Sequence, residues 1–250
     1  MANEILTETH GRVRLIILNR PEARNAVNSA LGQALVAAIQ DFDSDDGLTA
    51  GVLTGAGKGF SAGMDLKAFV SEGPPKGFSE FLQKGSQKPL IAGVEGFALA
   101  GGLEIALSCD LIVAAKGVKL GIPEVNKGLF AAGGGLFRLP TRVPYGVAME
   151  MALTSDPISA EQAHELGLVT RLAEPGKAAE VALALAERIA RNAPLGVSMS
   201  KQVIRQTRGL TEDEAWVLQA PYAAKIFASE DAKEGPRAFA EKREPKWTGR

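Results

Sequence analysis

Residues 97–115 read FALAGGLEIALSCDLIVAA: an almost wholly apolar stretch with one carboxylate near its start, Glu104, just past the Gly101–Gly102 pair. A run this apolar belongs in a core, where an unpaired carboxylate is costly and its pKa should rise. The pattern predicts a strand, a tight turn at the glycines, a short buried helix from about Leu103 to Ser108, and a second strand over 111–115. Glu104 then has three readings: a first-turn carboxylate favouring its helix dipole, a surface charge, or an acid–base group. Its apolar neighbours argue against free exposure.

Working outward, PLIAGVEGFALAGG (89–102) is predicted as a single strand running into that turn. RVRLIIL (12–18), TAGVLTG (49–55) and VKLGIP (118–123) are further strand candidates, rich in branched aliphatics. A helix is expected from about Ser29 to Phe42, capped by Asn28, with Leu31, Leu35, Ala38, Ile39 and Phe42 on one face. Residues 55–65 read as a loop, and SEGPPKGF (71–78) as irregular and exposed. Ser159 and Gln162 have capping-box spacing and Gly167 marks the stop of the helix between them. Beyond Gly176 the pattern is helical; Thr211 and Glu214 form a second capping-box pair, and Pro221 should bend or interrupt the following helix. The expected organisation is an α/β core over residues 1–190 and a helical region over 191–250.

The totals narrow the function classes. The chain has 250 residues, 46% hydrophobic and 23% charged, as in a globular protein with one large core. Its net charge of -1, from 28 basic and 29 acidic side chains, carries no footprint of nucleic-acid binding. Cys109 is the single cysteine, so no intrachain disulfide forms, and it reads as a buried packing thiol. His10 and His164 are isolated, and no metal site is expected from them. The N-terminus lacks the pattern of a signal peptide and the apolar runs are interrupted by Glu104 and Asp110, so no membrane association and a cytoplasmic location are expected.

Two loops share a design. FSAGMD (60–65) and ALAGGLE (98–104) each set glycine just before a probable helix start. Backbone N–H groups in a helix's first turn lack an intrahelical acceptor, and two of them converging on one oxygen make an oxyanion hole. Tight turns and close packing would explain the same glycines. Neither loop has the spacing of a phosphate-binding fingerprint. A second carboxylate in similar surroundings, Glu124, lies in LGIPEVNKGLFAAGGG; its distance from Glu104 cannot be read from the sequence.

Several motifs in order carry a family resemblance: RPEARNAVN (20–28), GKGFSAGMDLK (57–67), GFALAGGLEIALSCDLIVAA (96–115), GIPEVNKGLFAAGGGLFRLP (121–140), PISAEQAHELGLVTRL (157–172) and AFAEKREPKW (238–247). Over essentially its full length the chain resembles the crotonase (enoyl-CoA hydratase/isomerase) superfamily. The resemblance implies an α/β spiral of ββα units with a helical C-terminal region that assists oligomerisation and covers active sites, assembled as a homotrimer or a dimer of trimers. It also implies a hydro-lyase that reversibly hydrates a 2-enoyl-CoA to a 3-hydroxyacyl-CoA, with no tightly bound cofactor and coenzyme A as the thioester carrier of the substrate. Carried over by motif, the N–H groups of Met64 and Gly101 form the oxyanion hole, and Glu104 and Glu124 are the catalytic glutamates. The matching CoA contacts are Glu22, Arg24, Ala26 and Lys67, with Phe239 and Lys242 reaching a CoA on a neighbouring subunit. Where many hydratases have Pro-Gly after the second glutamate, this chain has Ala131-Ala132, which leaves water positioning to the N–H of Ala132. The alternatives are a 3-enoyl-CoA double-bond isomerase and a non-catalytic acyl-CoA-binding protein.

Overall fold

The computed structural model describes residues 4–250. Its first strands, β1 (Ile5–His10) and β2 (Val13–Leu18), pair antiparallel. The aliphatic pattern predicts only the second, because in β1 Ile5 alone is buried; β1 is the polar edge of the sheet. Helix α1 (Ser29–Ser44) follows, and Asn28 caps it by accepting the Leu31 N–H at 2.9 Å. β3 (Ala50–Gly55) leads to two short helices, α2 (Leu66–Glu72) and α3 (Phe78–Lys84). The segment expected to be irregular and exposed is therefore anchored: Pro75 and Phe78 are buried, and Phe78 begins α3.

The predicted strand over 89–102 is two strands in two sheets: β4 (Leu90–Val94) and β5 (Phe97–Leu99). The chain turns between them at Gly96, where φ is +58° and a Cβ would collide with the Lys58 carbonyl. Helix α4 (Gly101–Ser108) and strands β6 (Leu111–Ala115) and β7 (Lys119–Gly121) repeat the same passage from one sheet to the other. Then come α5 (Gly135–Arg138), α6 (Tyr145–Thr154), β8 (Ile158–Ser159), α7 (Ala160–Glu165) and β9 (Arg171–Ala173). Both halves of the predicted Ser159–Gln162 capping box are present on α7.

The large sheet has the order β1-β2-β3-β4-β6-β9 and is parallel except for its first pair. The small sheet is β5-β7-β8. Strands β3, β4 and β6 are apolar but for Thr54, whose hydroxyl donates to the Gly93 carbonyl, because both faces of the large sheet are covered. Phe42 of α1 packs over Gly51 on one face, and α8 (Ala178–Ala190) lies over Gly93 on the other. Ala178, Ala182 and Ala186 are the fully buried residues of α8, small enough for the helix to sit close to the strands.

The C-terminal helices are α9 (Pro194–Gln206), α10 (Glu212–Phe227) and α11 (Glu230–Ala240). Lys201 on α9 docks to the core by an ion pair to Asp110 at 2.7 Å and a bond to the Lys88 carbonyl at 2.6 Å. Pro221 does not interrupt α10: it removes one ladder hydrogen bond, and the flanking turns continue along α9.

Asn25 knits the first loops together. It is fully buried at φ +52°; its Oδ1 accepts the Arg20 N–H at 2.9 Å and its Nδ2 donates to the carbonyls of Ala56 and Gly59, both at 2.9 Å. Asparagine tolerates this left-handed conformation better than most residues. Replacing Asn25 by Ala leaves one buried and two part-buried backbone groups without this partner, and urea unfolding should report a loss of ~3 kcal/mol; a loss below ~1 kcal/mol would refute this role.

Candidate active site

Two backbone bridges bring the glycine loops to one place. Ser61 pairs with Ala98 and Val27 with Met64, both parallel. The second bridge uses the Gly63 carbonyl, bonded to the Val27 N–H, and the Asp65 N–H, bonded to the Val27 carbonyl, each within 2.9 Å. Met64's own N–H is therefore turned away from Val27, as alternate peptide groups along an extended segment must be. On that other side lies Gly101, the first residue of α4: a methyl placed on it would be 3.4 Å from the Met64 nitrogen. Ala100, just before it, holds φ +52°, a left-handed strain in a non-glycine residue at the entry to the helix.

These residues border a cavity of about 390 Å³ that Met64, Gly101, Glu104, Glu124 and Ala132 all line. Five sequence-expected site residues thus come together. Leu66, Phe69, Phe78, Leu82, Leu129 and Phe130 give the cavity apolar walls. Helices α2 and α3 carry four of them.

The buried carboxylate of Glu104 is held by the turn that follows Glu124. Its Oε1 accepts the Gly135 N–H at 2.9 Å. Gly133 approaches so closely that a Cβ there would lie 2.6 Å from Oε2, so the glycine run of FAAGGG is a consequence of the carboxylate beside it. Burial raises the pKa of Glu104, opposed by the N–H groups of Gly135 and Gly133 and by the charge of Arg138. Glu124 has less help. Its Oε2 is buried without a hydrogen-bond partner among the described residues. Burial pushes its carboxyl up to about 7, its own backbone N–H opposes the shift, and the charge of Glu104 adds to it. One cavity therefore holds a carboxylate supported by donors and a second that takes up a proton near neutrality, a pairing suited to acid–base work.

The remaining expected residues stand outside the cavity wall. Glu22 and Arg24 are exposed on the turn preceding Val27, and the Arg24 carbonyl accepts the Ala62 N–H at 3.1 Å. Ala26 is half-buried and Lys67 exposed, each next in sequence to a residue that lines the cavity. Phe239, 87% exposed on α11, and Lys242 are not among the lining residues, which all fall between Val27 and Ala132. Asp65, in the FSAGMD loop, has a role the sequence reading misses: it caps α2 and pairs with Arg20 at 3.3 Å.

The enoyl-CoA hydratase/isomerase family model matches residues 8–250. The chain belongs to this family. It is 40% identical to enoyl-CoA hydratase EchA19 of Mycobacterium tuberculosis, over 99% of the chain and 97% of that relative. A crystal structure of an enoyl-CoA hydratase from M. tuberculosis H37Rv superposes with a TM-score of 0.94 at 52% identity, covering 99% of this chain and all of that one. A probable enoyl-CoA hydratase/isomerase from Mycobacterium abscessus gives 0.95 at 51% identity, with both chains fully covered. The expected fold and an enzyme of the enoyl-CoA hydratase type are thereby borne out at the level of the family.

The carboxyl of Glu124 gives a test in solution. Its folded pKa of about 7 lies above the ordinary 4.5, so the native state holds the proton that the unfolded state releases between those values. Stability from this group is complete below the unfolded pKa and is lost as pH rises through the folded one. Relative to Glu124→Gln, the wild type should lose on the order of 2 kcal/mol between about pH 4.5 and 7.5, the ~3 kcal/mol that the full shift implies being reduced by solvent screening of a half-buried group, and no more above that. Parallel denaturation curves for the two proteins would disprove the shift.

Proposed function

We propose that the protein reversibly hydrates the double bond of a 2-enoyl-CoA thioester to give a 3-hydroxyacyl-CoA. The observation that carries this reading is the meeting of two carboxylates of different proton affinity with the N–H groups of Met64 and Gly101 around one apolar-walled cavity. Family membership supports it, since the relatives include proteins named as enoyl-CoA hydratases at 36–40% identity.

In the proposed reaction the thioester carbonyl oxygen lies between the N–H groups of Met64 and Gly101, where negative charge collects as water adds to the β-carbon. Glu104, whose ionised form the N–H groups of Gly135 and Gly133 favour against the opposing effect of burial, takes a proton from that water as its oxygen bonds to the β-carbon. Glu124, in its protonated form, delivers a proton to the α-carbon. The elements of water are thus divided between the two carbons, and the proton left on Glu104 returns to Glu124 through solvent before the next turnover. The N–H of Ala132, on the cavity wall, helps position the water. No tightly bound cofactor is required.

Arg24 and Lys67 would pair with CoA phosphates at the rim, with Glu22 and Ala26 contacting the same moiety. Because residues 191–250 do not line this chain's own cavity, Phe239 and Lys242 would contribute to a neighbouring site in a homotrimer or a dimer of trimers. That division makes residues 1–190 the acyl-CoA-binding core and 191–250 the assembly region. Among the described residues no helix is long and apolar enough to cross a membrane.

The test is turnover of crotonyl-CoA and of longer, branched and bulky 2-enoyl-CoAs, followed by loss of enone absorbance. Glu104→Gln and Glu124→Gln should each lower kcat by ~10²-fold or more with KM little changed. Migration of a 3-enoyl double bond without hydration would instead identify an isomerase. Tight acyl-CoA binding with no turnover of either substrate class would leave the binding-only reading.

A further inference from the structure

A second and larger cavity, about 820 Å³, lies at the opposite end of α4 from Gly101, between the last turn of that helix, the segment from Arg138 to Arg142, and α9. Neither Glu104 nor Glu124 lines it. Five cationic side chains do, Arg138, Arg142, Lys201, Arg205 and Arg208, against a single carboxylate, Asp110. That carboxylate is already committed: its Oδ2 lies 2.7 Å from Lys201 Nζ and accepts the Leu90 N–H at 2.8 Å. Four guanidinium groups therefore face the cavity with no counter-charge among its lining residues.

The ends of α4 and α3 account for two of them, since Arg138 Nη2 also donates to the carbonyls of Leu82 and Gln83 at the end of α3. The carbonyls at the C-terminal end of a helix lack intrahelical donors and carry the negative end of the dipole. Arg142 Nη2 donates to the Leu107 and Cys109 carbonyls at 3.0 and 3.2 Å, and Arg138 Nη1 donates to Ser108 Oγ at 3.0 Å. Arg205 and Arg208 exceed that need. The Arg205 guanidinium lies against Gly85, where a methyl would be 2.8 Å from its Nη1, and it makes no hydrogen bond or ion pair among the described residues. Arg208 donates to Thr141 Oγ1 at 2.5 Å and meets no carboxylate. Burial, and then the charges of Arg205 and Arg142, disfavour the charged form of Arg138, so the cluster is held together against repulsion. Cys109 in the wall is no nucleophile, since burial pushes its thiol up to about 12.

The geometry points to a phosphate-binding site: this cavity takes a small phosphate-bearing anion across Arg138, Arg142, Arg205 and Arg208, apart from the candidate active site. A carboxylate has one fork of oxygens and a single charge. Phosphate groups have three terminal oxygens and up to two charges each, which suits several guanidinium forks converging from different segments. Leu111, Ile189 and Val197 on the wall leave room for an apolar part of the ligand.

The probes are pyrophosphate, as a free anion, and ADP, as a phosphate carried on a nucleoside, each titrated by calorimetry into enzyme saturated with CoA so that any CoA subsites are filled. Saturable binding of either supports the site: pyrophosphate binding shows that the free anion suffices, and binding of ADP alone assigns the phosphate to a nucleotide. Arg205→Gln with Arg208→Gln should weaken binding about 100-fold, near tenfold for each lost charged contact, while crotonyl-CoA turnover stays within about twofold. Arg208→Gln alone, at an exposed position, should weaken binding about tenfold and serves if the double variant fails to fold. The proposal is overturned if neither probe binds saturably at millimolar concentration, if the folded variants bind as the wild type does, or if CoA displaces the probe.

Discussion

A carboxylate placed inside an apolar helix sets the terms for the middle of this chain. Glu104 is 4% exposed, with buried Leu103 and Ile105 on either side in sequence. Left alone it would cost more than a helix of this length could recover. The N–H groups that support it come from Gly133 and Gly135, so the chain beyond β7 must return over α4 and do so on glycine. That return also carries Glu124 and Ala132 into the same cavity. Satisfying one buried charge and assembling two carboxylates are thus a single structural event: Gly133 and Gly135 make room for the carboxylate, and Gly134, at φ +106°, makes the turn between them.

The other half of the site depends on pairing between loops distant in sequence. Met64 and Gly101 sit in separate turns of the spiral, and their relative position is fixed by the bridges Ser61–Ala98 and Val27–Met64. Asn25 anchors that arrangement from below: its carbonyl accepts the Ser61 hydroxyl at 2.8 Å, and its side-chain amide holds the Gly59 carbonyl. Positive φ at Arg24, Asn25 and Ala100 stores backbone strain around the loops. Such strain persists only where surrounding bonds over-determine it, and here those bonds are the ones that hold the Met64 and Gly101 loops together.

This arrangement explains what could be read from the sequence. Helix caps were legible because Asn28, Ser159 and Thr211 act on donors within three residues, and the central strands because burial on both faces leaves only apolar side chains. The glycine loops and both glutamates were legible as motifs. Their convergence was not, since it depends on bridges between residues tens of positions apart. β1 was missed because a polar edge strand has little apolar signature, and β4 merged with β5 because the Gly96 corner interrupts no hydrophobic pattern. The apolar cavity wall in α2 and α3 was hidden by the glycines and prolines between the helices, and the arginine cluster by the distance between Arg138 and Arg205 along the chain.

Helix α4 ties these features together through its two ends. Its eight residues span ~12 Å, too short for one end to be electrically indifferent to the other. The N-terminal end offers unpaired N–H groups, and in the proposed reaction that is where a thioester oxygen gains negative charge. The C-terminal end offers carbonyls, which Arg142 meets for the complementary reason, and the Ser108 hydroxyl, which accepts from Arg138. Arg138 belongs to both settings: it closes α5, whose first residue donates to Glu104, and its charge opposes the rise in that carboxyl's pKa. Arg138, at one end of α4, thereby favours the charged form of the carboxylate carried nearer the other end, the form that a base acting on water requires.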